Sequence, residues 1–133
     1  MGLPLRILTV NQNRMLREGI CMLLEMEPSL ELLGASDSPE AAPNLFTEKK
    51  PDLVLIDVDF PHHGGLDSIR RILAIDPDAW IIGLATHEWE ACGPEALQAG
   101  VSTVITKDLI ADGLLALIRA GRPREFVAPE RVG

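Results

Sequence analysis

Five short apolar runs alternating with five stretches of helical periodicity predict an α/β fold, a single doubly wound parallel sheet in the flavodoxin-like order 2-1-3-4-5. Three observations carry this expectation. Leu53-Val54-Leu55-Ile56 is continuously apolar, as a strand covered on both faces must be. A helix-length segment separates each apolar run from the next, so consecutive strands run the same way and every crossover returns the chain to the same edge. The length, 133 residues at 47% hydrophobic content, suits one domain of ordinary size with ample material for a core.

In chain order, Leu5 to Val10 is the first strand, and Leu16, Ile20, Leu23 and Leu24 repeat at helical spacing behind it. Asn13 is placed to cap that helix, and Pro28 ends it. Leu30 to Ala35 is the second strand. Ser38-Pro39 would open a helix but for Pro43, so the second helix is expected to be short or displaced. Asp52 to Asp57 is the third and central strand. Leu66, Ile69, Ile72 and Leu73 mark a third helix ending before Pro77, and Trp80 to Ala85 is the fourth strand. Gly93-Pro94 restricts the fourth helix to about Pro94 to Ala99. Ser102 to Thr106 is the fifth strand, and Leu109, Ile110, Leu114, Leu117 and Ile118 form a last helix closed by Gly121 and Pro123.

Twenty acidic against twelve basic residues give a net charge of -8, with no cluster of Lys or Arg. The chain therefore lacks the basic stripe of a nucleic-acid surface, and DNA contact is expected only through a further domain. Apolar runs of six residues or fewer are too short for a membrane span, and the N-terminus lacks the layout of a signal peptide. Met1-Gly2 begins like a myristoylation signal, but Arg6 stands where Ser or Thr is required. Two lone cysteines, Cys21 and Cys92, suit a reducing compartment, so the expected location is the cytoplasm. Asn11-Gln12-Asn13-Arg14 offers no glycine-rich phosphate loop after the first strand, and no enzymatic activity is expected.

Ligands of doubly wound sheets sit beyond the carboxyl ends of the strands at the switch point. Asn11, Gln12, Asp57, Ala85, Thr86 and Lys107 all fall at such ends, so one crevice can line them up. His62, His63 and His87 lie on the same edge, but adjacent loop histidines seldom aim at one ion, and no zinc site is expected. Trp89, near the broken fourth helix, is a candidate partner contact.

The segments Arg17-Glu18-Gly19, Pro51-Asp52-Leu53-Val54-Leu55-Ile56-Asp57, Pro61 with Gly65-Leu66, Ala96-Leu97-Gln98-Ala99-Gly100 and Lys107-Asp108 resemble the receiver domain of two-component response regulators, specifically the NarL/FixJ (LuxR-type) group. The resemblance runs from about Leu5 to Pro129. It implies a receiver over residues 1–121 and a tail or linker stub over 122–133, where Glu125 to Pro129 resembles the lead into a helix-turn-helix output domain. It implies also that Asp57 is the phosphoacceptor position and Lys107 its conserved lysine partner in the family. The family's acidic, metal-holding pair falls on Asn11 and Gln12, its hydroxyl residue on Ala85 beside Thr86, and its aromatic switch on Val104.

Asp57 and the loop carbonyl or carboxylate of Asp59 are all that remain of the metal ligands the resemblance implies, so Mg²⁺ is expected to bind weakly if at all and no other cofactor is expected. Asp57 and Lys107 can then pair with each other. The expectation is an atypical receiver, a signal-input and dimerisation module of a transcription regulator that forms a homodimer. The alternative is a conventional receiver whose Asp57 accepts phosphate from a histidine kinase.

Overall fold

The computed structural model describes residues 3–58, 64–85 and 93–121. Five parallel strands, β1 (Leu5–Val10), β2 (Leu30–Ser36), β3 (Leu53–Asp57), β4 (Ile81–Ala85) and β5 (Thr103–Thr106), form one sheet in the order β2-β1-β3-β4-β5. The helices are α1 (Arg14–Glu25), α2 (Ala42–Lys49), α3 (Gly64–Ile75), α4 (Gly93–Ala99) and α5 (Ile110–Ala120). Fold class, strand order and element order match those expected from the alternation of runs.

Alternating strand residues divide the core into two layers. Leu8, Val10, Val54, Ile56 and Ile81 pack against α2, α3 and α4, whereas Ile7, Leu53, Leu55, Ile82, Leu84 and Ile105 pack against α1 and α5. All five residues of β3 and all five of β4 are buried, which explains their unbroken apolar runs.

Local chemistry sets the element ends. The Asn13 side chain accepts a hydrogen bond from the Leu16 N–H at 2.9 Å and caps α1. Pro43 does not interrupt the second helix. A 3-10 turn over Pro39–Ala41 leads into α2, and Pro43 occupies the first turn, where a missing N–H costs nothing. Lys50 ends α2 in the left-handed region with φ 51°, and its N–H returns to the Phe46 carbonyl. Gly100 follows α4 with φ 122°, a conformation that favours glycine, and an added Cβ would require the flexible end of the half-buried Leu73 to shift. Ser68, buried on α3, donates to the carbonyl of Pro39 and ties the 3-10 turn to that helix.

Candidate functional site

The β1–β3 ladder pairs Val10 with Ile56, so the next residues, Asn11 and Asp57, stand side by side at the carboxyl edge of the sheet. Asp57 shares the alternation of Leu53 and Leu55 and projects on the α1–α5 face. Lys107, first residue of a 3-10 turn after β5, crosses to it, with Nζ 3.0 Å from Asp57 Oδ2. The two side chains are 21% and 5% exposed, so the ion pair is largely desolvated. Removing one partner of a buried pair leaves an uncompensated charge and costs about 3–5 kcal/mol; the partial exposure of Lys107 reduces that here.

Asn11 is fully buried and its polar groups are divided between different tasks. Its N–H donates to Ser36 O at 2.9 Å, extending the β1–β2 ladder. Its Oδ1 accepts from the Asn13 N–H at 3.0 Å, a turn that leads directly into the α1 cap. Its Nδ2 has no partner among the described residues, and the same holds for Oγ1 of Thr9, also fully buried and two residues earlier on the same face. A buried donor without an acceptor costs about 1–3 kcal/mol. With the oxygen already engaged, the side-chain group that Asn11 leaves unpartnered is a buried N–H₂ donor, and a donor cannot ligate a cation.

Two further contacts shape this edge. Arg17, half-buried on α1, donates from Nη1 to Asn11 O at 2.9 Å, bringing a guanidinium to the end of β1. Gln12 is exposed, outside the buried part of the crevice. Ala85 is fully buried, but it packs into the α2–α3–α4 layer with Val10 and Ile56, on the opposite face from Asp57. Its methyl group offers no hydrogen bond. Val104 packs partly against that same layer and lines a shallow cavity of about 270 Å³ with Leu97, Ile105, Thr106 and Leu109. A Cβ on Gly83 would approach Val58 Cγ1, just after β3, at a tight 3.1 Å, and Val104 Cγ2 at an ordinary 3.5 Å.

The structure thus brings Asn11, Asp57 and Lys107 together, and places Ala85 and Val104 on the other side of the sheet. Asp59, Thr86, the three histidines, Trp89 and Cys92 lie outside the described residues. Among the described residues no three His, Cys, Asp or Glu side chains cluster to hold a metal ion. No helix of the described residues is long and apolar enough to cross a membrane. Sequence reasoning missed two participants at this edge, Thr9 and Arg17; a polar Thr between the apolar Leu8 and Val10 of β1 was the signal for the first.

A doubly wound sheet with a carboxylate and a lysine meeting at its carboxyl edge defines the class, and comparison with known proteins agrees. The response regulator receiver domain profile matches residues 7–119, and the chain belongs to that family. It is 33% identical over 130 residues to the response regulator GacA of Pseudomonas viridiflava, covering 95% of this chain and 59% of that protein. It is 27% identical over 115 residues to the transcriptional regulatory protein DegU of Brevibacillus brevis, covering 86% of this chain and 49% of that one. The chain therefore spans about half to three fifths of the length of these relatives. The signal receiver domain of the putative response regulator NarL from Mycobacterium tuberculosis superimposes with a TM-score of 0.80 at 22% identity, over 92% of this chain and all of that one, a likeness of fold. This is a receiver domain of a two-component response regulator.

Proposed function

We propose that the chain is the signal-input and self-association module of a transcription regulator and that Mg²⁺-dependent phosphorylation does not switch it. One observation carries the reading: beside Asp57, Asn11 is fully buried, its Oδ1 is engaged by the Asn13 N–H and its unpartnered group is a donor. Mg²⁺ takes oxygen ligands, normally with carboxylates, and its charge offsets the negative charge that develops as a phosphoryl group is transferred. Here one carboxylate already shares its charge with an ammonium, and its cross-strand neighbour presents N–H. Those residues do not fit the ion. The loop carboxylate of Asp59 is the one remaining acid of the proposed ligand set.

The relay beyond the site is altered too. Ala85 has no hydroxyl to follow a phosphoryl group, and the branched side chain of Val104 stands beside open volume where the family carries an aromatic ring. Asp57, Asn11, Gln12, Asp59, Ala85, Thr86, Lys107 and Val104 are the residues proposed for the site and its switch position. The proposed organisation is a receiver over 1–121 and a linker over 122–133 leading to an output domain that contacts DNA, in a homodimer located in the cytoplasm. Transcriptional control is supported by the likeness to relatives such as the transcriptional regulatory protein DegU. No enzymatic activity is proposed.

The second reading is a conventional receiver whose Asp57 is phosphorylated by a histidine kinase, and the Asp57–Lys107 pair together with family membership favours it. Intact-mass measurement after incubation with acetyl phosphate and Mg²⁺ separates the two. The proposal expects no adduct. A stable phosphoryl adduct on the wild-type chain that is absent from Asp57→Asn establishes the second reading instead.

A further inference from the structure

Open volume borders β5 on the side of α4. The cavity of about 270 Å³ is lined by Leu97 of α4, by Val104, Ile105 and Thr106 of β5, and by Leu109 of the 3-10 turn that follows. Leu97 and Leu109 are 45% and 52% exposed, so the notch is an apolar surface in contact with water. Thr106 supplies the one hydroxyl of the lining.

The surroundings of the notch are acidic. Among residues 93–112 the charged side chains are Glu95, Lys107, Asp108 and Asp112. Lys107 is committed to Asp57, its Nζ 3.0 Å from Oδ2. Asp108 directly precedes Leu109 and Asp112 follows it by three residues, about one turn, and both are exposed. Each lies in the first turn of its helical segment, where the helix dipole favours a carboxylate. That accounts for their position, and their charge still makes the potential at this rim negative.

We propose that the cavity is a binding site for a small planar aromatic amine, its ring seated among Leu97, Val104 and Leu109 and its ammonium at the rim formed by Asp108 and Asp112. Size, shape and charge each select this occupant. Five lining residues are few against the roughly 20–30 a side of a protein interface, so the guest is a small molecule. The volume lies just under the roughly 300–1,000 Å³ of pockets for drug-sized ligands, which limits the guest to one ring or two fused rings. A rigid ring buries apolar area without ordering flexible bonds, and the acidic rim favours a cation over a neutral or anionic analogue. The occupant would touch α4 and β5 together and strengthen their contact. The inference holds whether or not Asp57 accepts phosphate.

Two-dimensional amide NMR of the full chain, titrated with three compounds that share one ring system, tests the assignment: tryptamine, indole and indole-3-propionate. Tryptamine is expected to give saturable shifts at Leu97, Val104, Thr106 and Leu109 below about 10 mM. It is expected to bind about threefold or more tighter than indole, the size of one exposed ion pair, and indole-3-propionate to bind weakest. Asp108→Asn with Asp112→Asn should lower tryptamine to the affinity of indole and leave indole unchanged. Val104→Phe, which fills the notch, should abolish the shifts from all three, and Leu109→Gln, at an exposed position, should weaken them; circular dichroism confirms the fold of each variant. No saturable shift from any of the three compounds overturns the site. Equal affinities, or indole-3-propionate binding tightest, overturn the choice of an amine, and shifts that survive both Val104→Phe and Leu109→Gln overturn the location.

Discussion

Placing acids at positions 11 and 12 should convert a domain proposed to be indifferent to Mg²⁺ into a metal-stabilised one, at an energetic cost set by the structure. Asn11 is fully buried, and its cross-strand neighbour Asp57 lies one strand spacing away. In Asn11→Asp with Gln12→Asp, two carboxylates about 5 Å apart repel by about 3 kcal/mol at an effective dielectric of 20. Loss of the unpartnered Nδ2 returns about 1–3 kcal/mol, while desolvating the new carboxylate costs several. The charge terms win, so the double variant without metal is expected to be about 2–4 kcal/mol less stable than the wild type. Gln12, being exposed, contributes little to that loss.

Mg²⁺ then discriminates between the two proteins. A site with a dissociation constant of about 0.1 mM gains about 2.7 kcal/mol from 10 mM Mg²⁺, whereas one at 10 mM or weaker gains at most about 0.4 kcal/mol. With a urea slope of about 1.5 kcal/mol/M, the unfolding midpoint of the variant rises by about 2 M and that of the wild type by about 0.3 M or less. Urea titrations with and without Mg²⁺, followed by circular dichroism, measure both shifts. A wild-type midpoint raised by about 1 M, or a variant indifferent to the ion, refutes the reasoning.

Two further outcomes follow from the packing. Gly100→Ala should lower stability by about 1–3 kcal/mol, read as a urea midpoint shift, because alanine is strained at φ 122°; an unchanged midpoint would refute that backbone strain. Burial, followed by the charge of Glu25, raises the Cys21 thiol above its ordinary value of 9.0. Its folded-state pKa being the higher one, the stability it contributes is present below that ordinary value and is lost as pH climbs through the folded pKa. Iodoacetamide should therefore label Cys21 of a Cys92→Ser chain more slowly at pH 8–9 when folded than in urea, and equal rates would contradict the burial.

The topology was legible because continuous apolar strands and intervening helical periods admit few arrangements, and β3, buried on both faces, showed this most clearly. The second helix was harder. Pro43 reads as an interruption in sequence, and only the 3-10 turn that precedes it reveals that it sits in a first turn. At the site, the register that sets Asn11 beside Asp57 follows from the fold, and the Lys107 bridge followed from charge alone. Which atom of the Asn11 amide is left open did not, because that depends on a turn to Asn13 and a ladder bond to Ser36 that periodicity does not encode. Arg17 escaped for the same reason: its contact is with a backbone carbonyl, which carries no sequence signal. Ala85 and Asp57, close in the crevice expected from strand ends, belong to opposite faces once the alternation of each strand is fixed.

The central claim is that Asp57, paired with Lys107 and flanked by a buried amide, does not switch the domain. Two-dimensional amide NMR of the chain titrated with beryllofluoride and Mg²⁺ tests it most directly, since a switch requires two states that the ligand binds with different affinity. The account predicts a spectrum that stays in place, with no saturable shift at Asp57, Lys107 or Val104. Saturable shifts that begin around Asp57 and spread through β5 to Val104 and α4 would contradict it.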